Sequence, residues 1–178
     1  MQKLAPNLDG IEAVFLDLDG TIYMGDNLIE GAVDFLNRIE QKGIRRFFLS
    51  NNSSKSVKQY LSKLENLGVP AKEEDILLST HDLIAWLSSN NISETYLVGT
   101  VGMKEMLESA GVNTSSNNPQ YVVLGYDTEI SYLKLTEASI NLHKGVPLVV
   151  SHPDMVCPSP NGGLPDTGAY LALFEATT

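Results

Sequence analysis

Two carboxylates, a glycine and a hydroxyl group follow directly on a continuous apolar run near the start of the chain. Asp17 and Asp19 are two positions apart, so in an extended backbone their side chains point to the same side. Two carboxylates that face one pocket can hold a divalent cation, and Gly20 permits a close turn beside them. The same pair also occurs at strand ends that only cap the next segment, so the spacing alone leaves metal-assisted chemistry and a structural role both open.

The apolar run before Asp17 predicts where these carboxylates lie in a fold. Residues 13–16 are apolar without alternation, which is typical of a strand covered on both faces in a parallel sheet. Ligands of such sheets bind beyond the carboxyl ends of the strands, where Asp17 and Asp19 would lie. A calcium loop of the EF-hand type is excluded, because its sixth and twelfth positions are Ile22 and Leu28 instead of glycine and glutamate.

A second polar cluster follows the next predicted strand. Residues 30–41 have the apolar spacing of a crossover helix, and residues 44–49 form a second strand that ends in Ser50 and Asn51. Strand, helix and strand make a βαβ unit, which places Ser50 at the same sheet edge as the two carboxylates. A hydroxyl and free N–H groups before a helix can bind phosphate oxygens, although an ordinary helix cap has the same composition.

The rest of the chain continues the alternation of strands and helices, which predicts an α/β fold. Polar residues again follow the strands, among them His152 and Asp154, although an aspartate beside proline is more often a turn residue. Prolines and glycines after residue 157 break regular structure and indicate a boundary. Predicted strands cover residues 76–80, 95–99, 121–125 and 148–150, and predicted helices cover residues 54–67, 82–89, 103–110, 133–144 and 167–178.

Composition limits the partners and the location of the protein. The 178 residues are 43% hydrophobic, enough for a sizeable core, and the net charge of −10 disfavours nucleic acid or an anionic membrane as a partner. An anionic substrate then needs a local source of positive charge, such as a metal ion. No apolar run approaches the ~20 residues of a membrane span, and the single cysteine, Cys157, suits a reducing compartment. We therefore expect a cytoplasmic protein.

The motifs resemble the haloacid dehalogenase-like (HAD) phosphatases, and among them the NagD-like branch with a large inserted cap. The matching segments are residues 17–21 (first motif), residues 49–53 (second motif), and residues 96–99, 121–125 and 153–154 (strands and substrate loop of the cap). The resemblance implies a Rossmann-like parallel-sheet HAD core with an inserted α/β cap domain. The implied domains are a first part of the core at 1–79, the cap at 80–157, and a return to an incomplete core at 158–178.

The resemblance also implies a mechanism and a set of site residues. Asp17 would attack phosphorus to form an aspartyl-phosphate, and Asp19 would protonate the leaving oxygen and then activate water. Ser50 and the Asn51 backbone would hold the phosphoryl group, and Asp154 would contact the substrate. Mg²⁺ would bind the Asp17 carboxylate and the Asp19 carbonyl oxygen. The implied activity is hydrolysis of small phosphomonoesters such as sugar phosphates, nucleotides or phosphoglycolate.

Departures from the family pattern concern specificity and completeness. His152 and Asp166 stand where the family usually has asparagine and glycine, which leaves the substrate preference open. The lysine motif and the final acidic motif of the family lie downstream of residue 178. The chain as given is therefore expected to be a poor catalyst with an incomplete core, able to form homo-oligomers through the exposed core edge or through the cap.

Two other functions stay open at this point. The chain could be a non-catalytic phosphate-binding or interaction module that retains the phosphate pocket and the cap surface. A phosphate-acceptor domain of the response-regulator type also has acidic residues and a hydroxyl at strand ends. The Gly20-Thr21 continuation and the inserted second domain disfavour that third function.

Overall fold

The computed structural model describes residues 8–159 and 161–178, which form two three-stranded parallel sheets with helices packed against them. In this part of the chain, no helix combines the length and apolar character that crossing a membrane requires. In chain order the elements are β1 (Ala13–Asp17), β2 (Tyr23–Met24), β3 (Asn27–Leu28), α1 (Ala32–Gln41), β4 (Arg45–Ser50), α2 (Val57–Asn66), β5 (Ile76–Leu78), α3 (Ser79–Ser89), β6 (Thr95–Val98), α4 (Val101–Ser109), β7 (Tyr121–Leu124), α5 (Tyr132–His143), β8 (Leu148–Val150), β9 (Val156–Cys157), β10 (Leu164–Pro165) and α6 (Thr167–Thr177).

The first sheet has the strand order β1-β4-β5, and its strands are parallel. Helices α1 and α2 form on amphipathic stretches, and their apolar sides pack on the same face of the sheet, against Phe48 and Ile76. We call this sheet and these two helices the first layer. The predicted βαβ unit is confirmed, because β1 and β4 lie side by side with Asp17 opposite Leu49.

The opposite face of the first sheet is open in the described residues. Phe15 is 59% exposed, and Leu49 and Leu77, which are neighbours across the sheet, are each 38% exposed. Phe15 stacks on Phe47 of the next strand, with 5.2 Å between the ring centres. The prediction that β1 is covered on both faces is therefore wrong for this chain. The reason is that α1 and α2 both lie on one side, and no element of the described ranges covers the other.

We predict that the open face and the free edge of β1 make the chain self-associate. Among the described strands β1 pairs only with β4, and an apolar face beside an unpaired strand edge promotes association. In light scattering, the apparent mass of the chain should rise with concentration, and Phe15→Ser should reduce that rise. Tyr132→Ser is the matched control, since Tyr132 is 85% exposed at the start of α5, away from this sheet. A monomer at every concentration would contradict the prediction.

The second sheet has the strand order β6-β7-β8 and is covered on both faces. Leu97 and Val123 pack against α3 and α4 on one face. Val98, Val122 and Leu124 pack against α5 and α6 on the other. We call this sheet and these four helices the second layer. The apolar runs predicted as strands in this half of the chain are confirmed, and here burial on both faces accounts for their lack of alternation.

Helix α6 packs in the second layer, whereas residues 158–178 were expected to return to the first. Phe174 is 1% exposed and lies in one cluster with Val122, Leu124 and Ala138. The second sheet therefore buries the apolar side of α6, and this helix is not available to cover the open face of the first sheet. The domain boundaries at residues 79 and 157 stay predictions.

Two short antiparallel pairs, β2 with β3 and β9 with β10, are not predicted by the sequence pattern. The second pair lies in the stretch rich in proline and glycine, where no regular structure was expected. Pro165 is tolerated there because a two-residue strand at an edge loses little from a missing N–H group. Strand β5 also ends at Leu78, two residues earlier than predicted, because Ser79 already begins α3.

Candidate active site

Asp17 and Asp19 lie together at the carboxyl end of β1. Leu18 between them is fully buried, and its carbonyl oxygen accepts a hydrogen bond from the Ile22 N–H at 2.9 Å. Because Leu18 faces the core, the carboxylates on either side of it point outward and are exposed. Gly20 has a φ of +89°, which favours glycine and lets the chain turn immediately after Asp19. The structure thus brings the two predicted catalytic residues to one exposed edge.

Each carboxylate accepts a hydrogen bond from a residue four positions later. Thr21 Oγ1 donates to Asp17 Oδ2 at 3.4 Å, and the Tyr23 hydroxyl donates to Asp19 Oδ2 at 3.3 Å. Burial, reinforced by the charge of Asp19, raises the pKa of Tyr23, so this hydroxyl stays protonated and keeps donating. A carboxylate has about four acceptor positions. Most of the acceptor capacity of Asp17 and Asp19 therefore remains free for a cation or a reacting group.

Ser50 ends β4, next to β1, and is buried. Ser50 Oγ lies 2.9 Å from the Tyr60 hydroxyl oxygen and accepts a hydrogen bond from the Asn52 N–H at 3.2 Å. Burial raises the pKa of Tyr60, which keeps that hydroxyl protonated, and its proton is donated to the Asn52 carbonyl oxygen at 3.3 Å. Because a hydroxyl has one proton, the Ser50 O–H is the donor in its contact with Tyr60. The role of Ser50 in holding a phosphoryl group stays a prediction.

Asn51 and Asp154 are 103 residues apart in sequence and in direct contact in the structure, where Asn51 Nδ2 donates to Asp154 Oδ2. Beside this contact, Ser53 Oγ lies 2.9 Å from Ser151 Oγ. The two contacts join residues 50–54, which we call the 50–54 loop, to residues 151–154, which we call the 151–154 loop. Two predicted substrate-binding residues therefore meet where the layers come together. Their binding roles stay predictions.

A cleft of about 300 Å³ opens beside Asp19. Its walls include Asp19 and Lys63 from the side of the first layer and Tyr126 from the side of the second. Of the five predicted site residues only Asp19 lines this cleft. A larger groove of about 610 Å³ lies between α2 and α4 but contains none of the predicted site residues. We therefore place the site at the smaller cleft.

Two lysines supply positive charge to the cleft. Lys55 and Lys63 both line it. Lys63 Nζ lies 3.9 Å from the centre of the Tyr23 ring, and Lys55 Nζ lies 5.5 Å from the centre of the Tyr60 ring. Burial, followed by repulsion from Lys55, lowers the pKa of Lys63. Within the described part of the chain neither ammonium group forms an ion pair. The carboxylates of Asp19 and Asp26 oppose this lowering of the pKa, so the positive charge of Lys63 is partly offset although it forms no ion pair.

Sequence reasoning missed these two lysines, together with Tyr126 and Cys157 in the same cleft. Lys55 lies two residues after the second motif, which was a usable signal. Lys63 comes about two helical turns later, and only the packing of α2 brings it near Asp19. Burial raises the pKa of the Cys157 thiol, so this residue is a neutral part of the wall.

The oxygen ligands at the end of β1 fit a magnesium ion. Mg²⁺ prefers oxygen and is held in proteins by one or two carboxylates together with several waters. Asp17 and Asp19 offer two exposed carboxylates. In residues 8–159 and 161–178, no group of three or more His, Cys, Asp or Glu side chains is arranged to hold a metal. The described residues therefore offer few ligands for Mg²⁺, chiefly the Asp17 carboxylate and the Asp19 carbonyl oxygen, and weak Mg²⁺ binding is expected.

His152 and Asp166, the two departures from the family pattern, contact each other. His152 Nε2 lies 2.9 Å from Asp166 Oδ1, and the two residues are 7% and 5% exposed. Burial alone would raise the pKa of the Asp166 carboxyl. Hydrogen bonds from His152 and from the Thr167 N–H outweigh burial and hold that pKa below its usual value. Asp166 is therefore a buried carboxylate with specific partners.

Known sequences are similar to this chain over most of its length. A family model described as haloacid dehalogenase-like hydrolase matches residues 14–113. The acid sugar phosphatase of Staphylococcus aureus (strain MRSA252) is 33% identical over 171 residues. That match covers 94% of this chain and 65% of the relative, so the chain spans less than two thirds of the length of this curated relative.

Solved structures are similar to the whole two-layer arrangement. The 4-nitrophenylphosphatase of Thermotoga maritima is 37% identical with a TM-score of 0.90, and the match covers 96% of this chain and 66% of that one. A protein assigned as NagD is also 37% identical, with a TM-score of 0.91 over 97% of this chain and 68% of that one. NagD of Escherichia coli K-12 is 23% identical with a TM-score of 0.82 over 94% of this chain and 66% of that one, a likeness of fold alone.

Proposed function

The chain belongs to the haloacid dehalogenase-like hydrolases, in the branch that includes NagD, and on that premise we propose that it carries the reacting carboxylates of a Mg²⁺-dependent phosphatase for small phosphomonoesters. The observation that carries the proposal is the exposure of Asp17 and Asp19 together at the carboxyl end of a parallel strand. The cleft beside Asp19, with its two lysines, adds support because it favours an anion.

In the first step, a carboxylate oxygen of Asp17 attacks phosphorus, and the bond between phosphorus and the leaving oxygen breaks. Asp19, in its protonated form, gives its proton to that oxygen, so the product departs as an alcohol. The hydrogen bond from Tyr23 holds the Asp19 carboxyl group in one orientation. The phosphoryl group is then an acyl phosphate on Asp17.

In the second step, water attacks the phosphorus of this acyl phosphate. The Asp19 carboxylate accepts a proton from the water, and the bond from phosphorus to the Asp17 oxygen breaks. Inorganic phosphate leaves, and Asp17 is again a free carboxylate. The proton that Asp19 gave up in the first step is recovered in the second.

The phosphoryl group needs donors and positive charge around it. Ser50 and the Asn51 backbone would hold its oxygens. Lys55 and Lys63 would attract the dianion, which a chain with a net charge of −10 otherwise repels. Mg²⁺, bound by the Asp17 carboxylate and the Asp19 carbonyl oxygen, would neutralise the charge that develops during transfer.

The names of the relatives support sugar phosphates and 4-nitrophenyl phosphate as the first substrates to test, with nucleotides and phosphoglycolate as further candidates. The alternative function is a non-catalytic phosphate-binding or interaction module. The cleft lysines also suit this alternative, since they would bind a phosphate group whether or not it is hydrolysed. A cytoplasmic location is part of the proposal and is supported by the single cysteine.

The test compares the 178-residue chain with an extended chain, which is the same sequence joined to the downstream segment of a matched relative. We expect the extended chain to hydrolyse 4-nitrophenyl phosphate only when Mg²⁺ is present. The 178-residue chain is assayed beside it under the same conditions. Inactivity of both proteins, with inorganic phosphate still bound, would favour the non-catalytic module.

We further predict that Lys55→Gln and Lys63→Gln weaken substrate binding in the extended chain. Each removes a positive charge from the cleft, and partly exposed charge contacts are worth enough to raise KM by up to about fivefold. Lys58→Gln is the matched control, because Lys58 lies on the same helix but outside this cleft. Steady-state kinetics with 4-nitrophenyl phosphate measures the effect. An equal change in KM for all three variants would exclude a specific role of the cleft lysines.

A further inference from the structure

His152 lies within the 151–154 loop and forms a buried pair with Asp166, the residue just before α6. The Thr167 N–H also donates to Asp166 Oδ1, at 2.6 Å, so this carboxylate caps the start of α6 while it holds the imidazole. A neutral imidazole that faces a carboxylate with Nε2 donates its proton there, which leaves Nδ1 as an acceptor. Asp166 therefore fixes the tautomer of His152.

A chain of hydrogen bonds runs from Nδ1 of His152 to the 50–54 loop. Ser151 Oγ lies 2.9 Å from Nδ1, and Ser53 Oγ lies 2.9 Å from Ser151 Oγ. Because Nδ1 accepts, the Ser151 O–H donates to it, and the Ser53 O–H donates to Ser151. Ser53 Oγ in turn accepts the Tyr126 N–H at 2.8 Å. The Ser151 and Ser53 hydroxyls then each donate one hydrogen bond and accept one, so Asp166 sets the direction of all the hydrogen bonds in this series.

The backbone of the 151–154 loop is fixed from the same side. The Gly168 N–H donates to the Asp154 carbonyl oxygen at 2.7 Å, and the Asp166 N–H donates to the Met155 carbonyl oxygen at 3.1 Å. Gly168 permits this approach, because a Cβ atom there would lie 2.9 Å from the Met155 sulfur and 3.0 Å from the Asp154 carbonyl carbon. The start of α6 thus holds the loop from which the Asp154 side chain reaches Asn51.

We propose that His152 and Asp166 form one positioning unit, which sets where Asp154 meets the 50–54 loop and thereby which leaving groups the site accepts. The inference rests on the proposed function, since it assigns the specificity of that same site. Neither residue lines the cleft, so both act through the 151–154 loop. The leaving groups affected are those large enough to reach Asp154, such as sugars.

The pairing also accounts for two departures from the family pattern at once. A buried carboxylate that loses its hydrogen-bond partner is strongly unfavourable, and so is a buried imidazole that loses its acceptor. Exchange of either residue alone therefore disturbs the loop, whereas exchange of both removes the unpaired group. Compensation between the two positions is the specific signature of one unit.

The kinetic test uses His152→Asn, Asp166→Gly and the double variant in the extended chain. His143→Asn is the matched control, since His143 is exposed at the end of α5. The measured quantity is the ratio of kcat/KM for glucose 6-phosphate to kcat/KM for 4-nitrophenyl phosphate. We expect each single variant to change this ratio about tenfold, through the KM for glucose 6-phosphate. In the double variant the ratio should return part of the way to its wild-type value. If the ratio keeps its wild-type value in all three variants, including through an equal loss on both substrates, the proposal is overturned.

A second readout is independent of catalysis. In the 178-residue chain, the amide NMR signal of Tyr126 reports the Ser53 end of the hydrogen-bond chain. Both single variants should shift this signal, and His143→Asn should leave it in place. If the extended wild-type chain has no phosphatase activity, the proposed function fails, while a shifted Tyr126 signal still supports the positioning link. An unshifted Tyr126 signal in folded variants overturns the link. If a single variant does not fold, the kinetic ratio and the Tyr126 signal are both measured on the double variant.

Discussion

Replacing Asp17 with asparagine is expected to abolish hydrolysis by the extended chain, with a loss of more than about 10⁴-fold in kcat. Asparagine keeps nearly the same shape but cannot attack phosphorus as a carboxylate does. The fold should remain intact, because Asp17 is exposed and accepts a long hydrogen bond, at 3.4 Å from Thr21 Oγ1, that an amide oxygen can also accept. The free energy of unfolding should stay within about 0.5 kcal/mol of wild type.

Asp34→Asn is the matched control for this change. Asp34 is also an exposed aspartate of the first layer, but it lies in the first turn of α1, outside the cleft. Its replacement should leave kcat with 4-nitrophenyl phosphate unchanged. If Asp17→Asn turns over within a few fold of wild type, Asp17 is not the nucleophile.

Replacing Asp19 with asparagine is expected to slow both steps, because the residue supplies the proton in the first step and accepts one in the second. General acid–base assistance is typically worth about 10²–10⁴-fold. The rate of the first step should fall least with 4-nitrophenyl phosphate, because its leaving group is stable without a proton. Rapid mixing should therefore show a burst of 4-nitrophenolate followed by slow turnover. With glucose 6-phosphate, whose leaving alkoxide needs the proton, no burst should occur.

Tyr23→Phe provides the control for the Asp19 experiment. It removes the 3.3 Å hydrogen bond to Asp19 without removing the carboxyl group. We expect a smaller loss than for Asp19→Asn and the same relative rates on the two substrates. Unchanged kinetics in Asp19→Asn would exclude this residue from the chemistry.

The position of the carboxylates could be predicted from local pattern alone. An apolar run defines the direction and the end of β1, and the two-residue period places Asp17 and Asp19 on one side of it. The βαβ unit then brings Ser50 to the same edge. These inferences need only the neighbouring residues, and the observed pairing of β1 with β4 agrees with them.

Contacts between distant segments could not be predicted in the same way. The meeting of Asn51 with Asp154 depends on how the two layers pack, which no periodicity encodes. Lys63 reaches the cleft only through the placement of α2, and His152 finds Asp166 only because α6 starts beside the 151–154 loop. Polar residues such as these carry no burial signal in the sequence.

The open face of the first sheet shows a different limit of pattern reasoning. An apolar residue at every position of a strand indicates surfaces that avoid water, but not which element covers them. Phe15, Leu49 and Leu77 carry that signal and are nevertheless partly or largely exposed in this chain. Likewise, the apolar residues of α6 predict a buried helix but do not distinguish the first layer from the second, against which it packs.

The central claim is that Asp17 becomes phosphorylated during turnover. It is tested most directly by mixing the extended Asp19→Asn chain with 4-nitrophenyl phosphate and Mg²⁺, quenching in acid within the burst, and locating the phosphoryl group by peptide mass spectrometry. The account predicts a phosphorylated peptide that contains Asp17, with the group on that carboxylate and lost on treatment with hydroxylamine. A phosphoryl group on another residue, or a burst of 4-nitrophenolate without any phosphorylated peptide, would contradict the account.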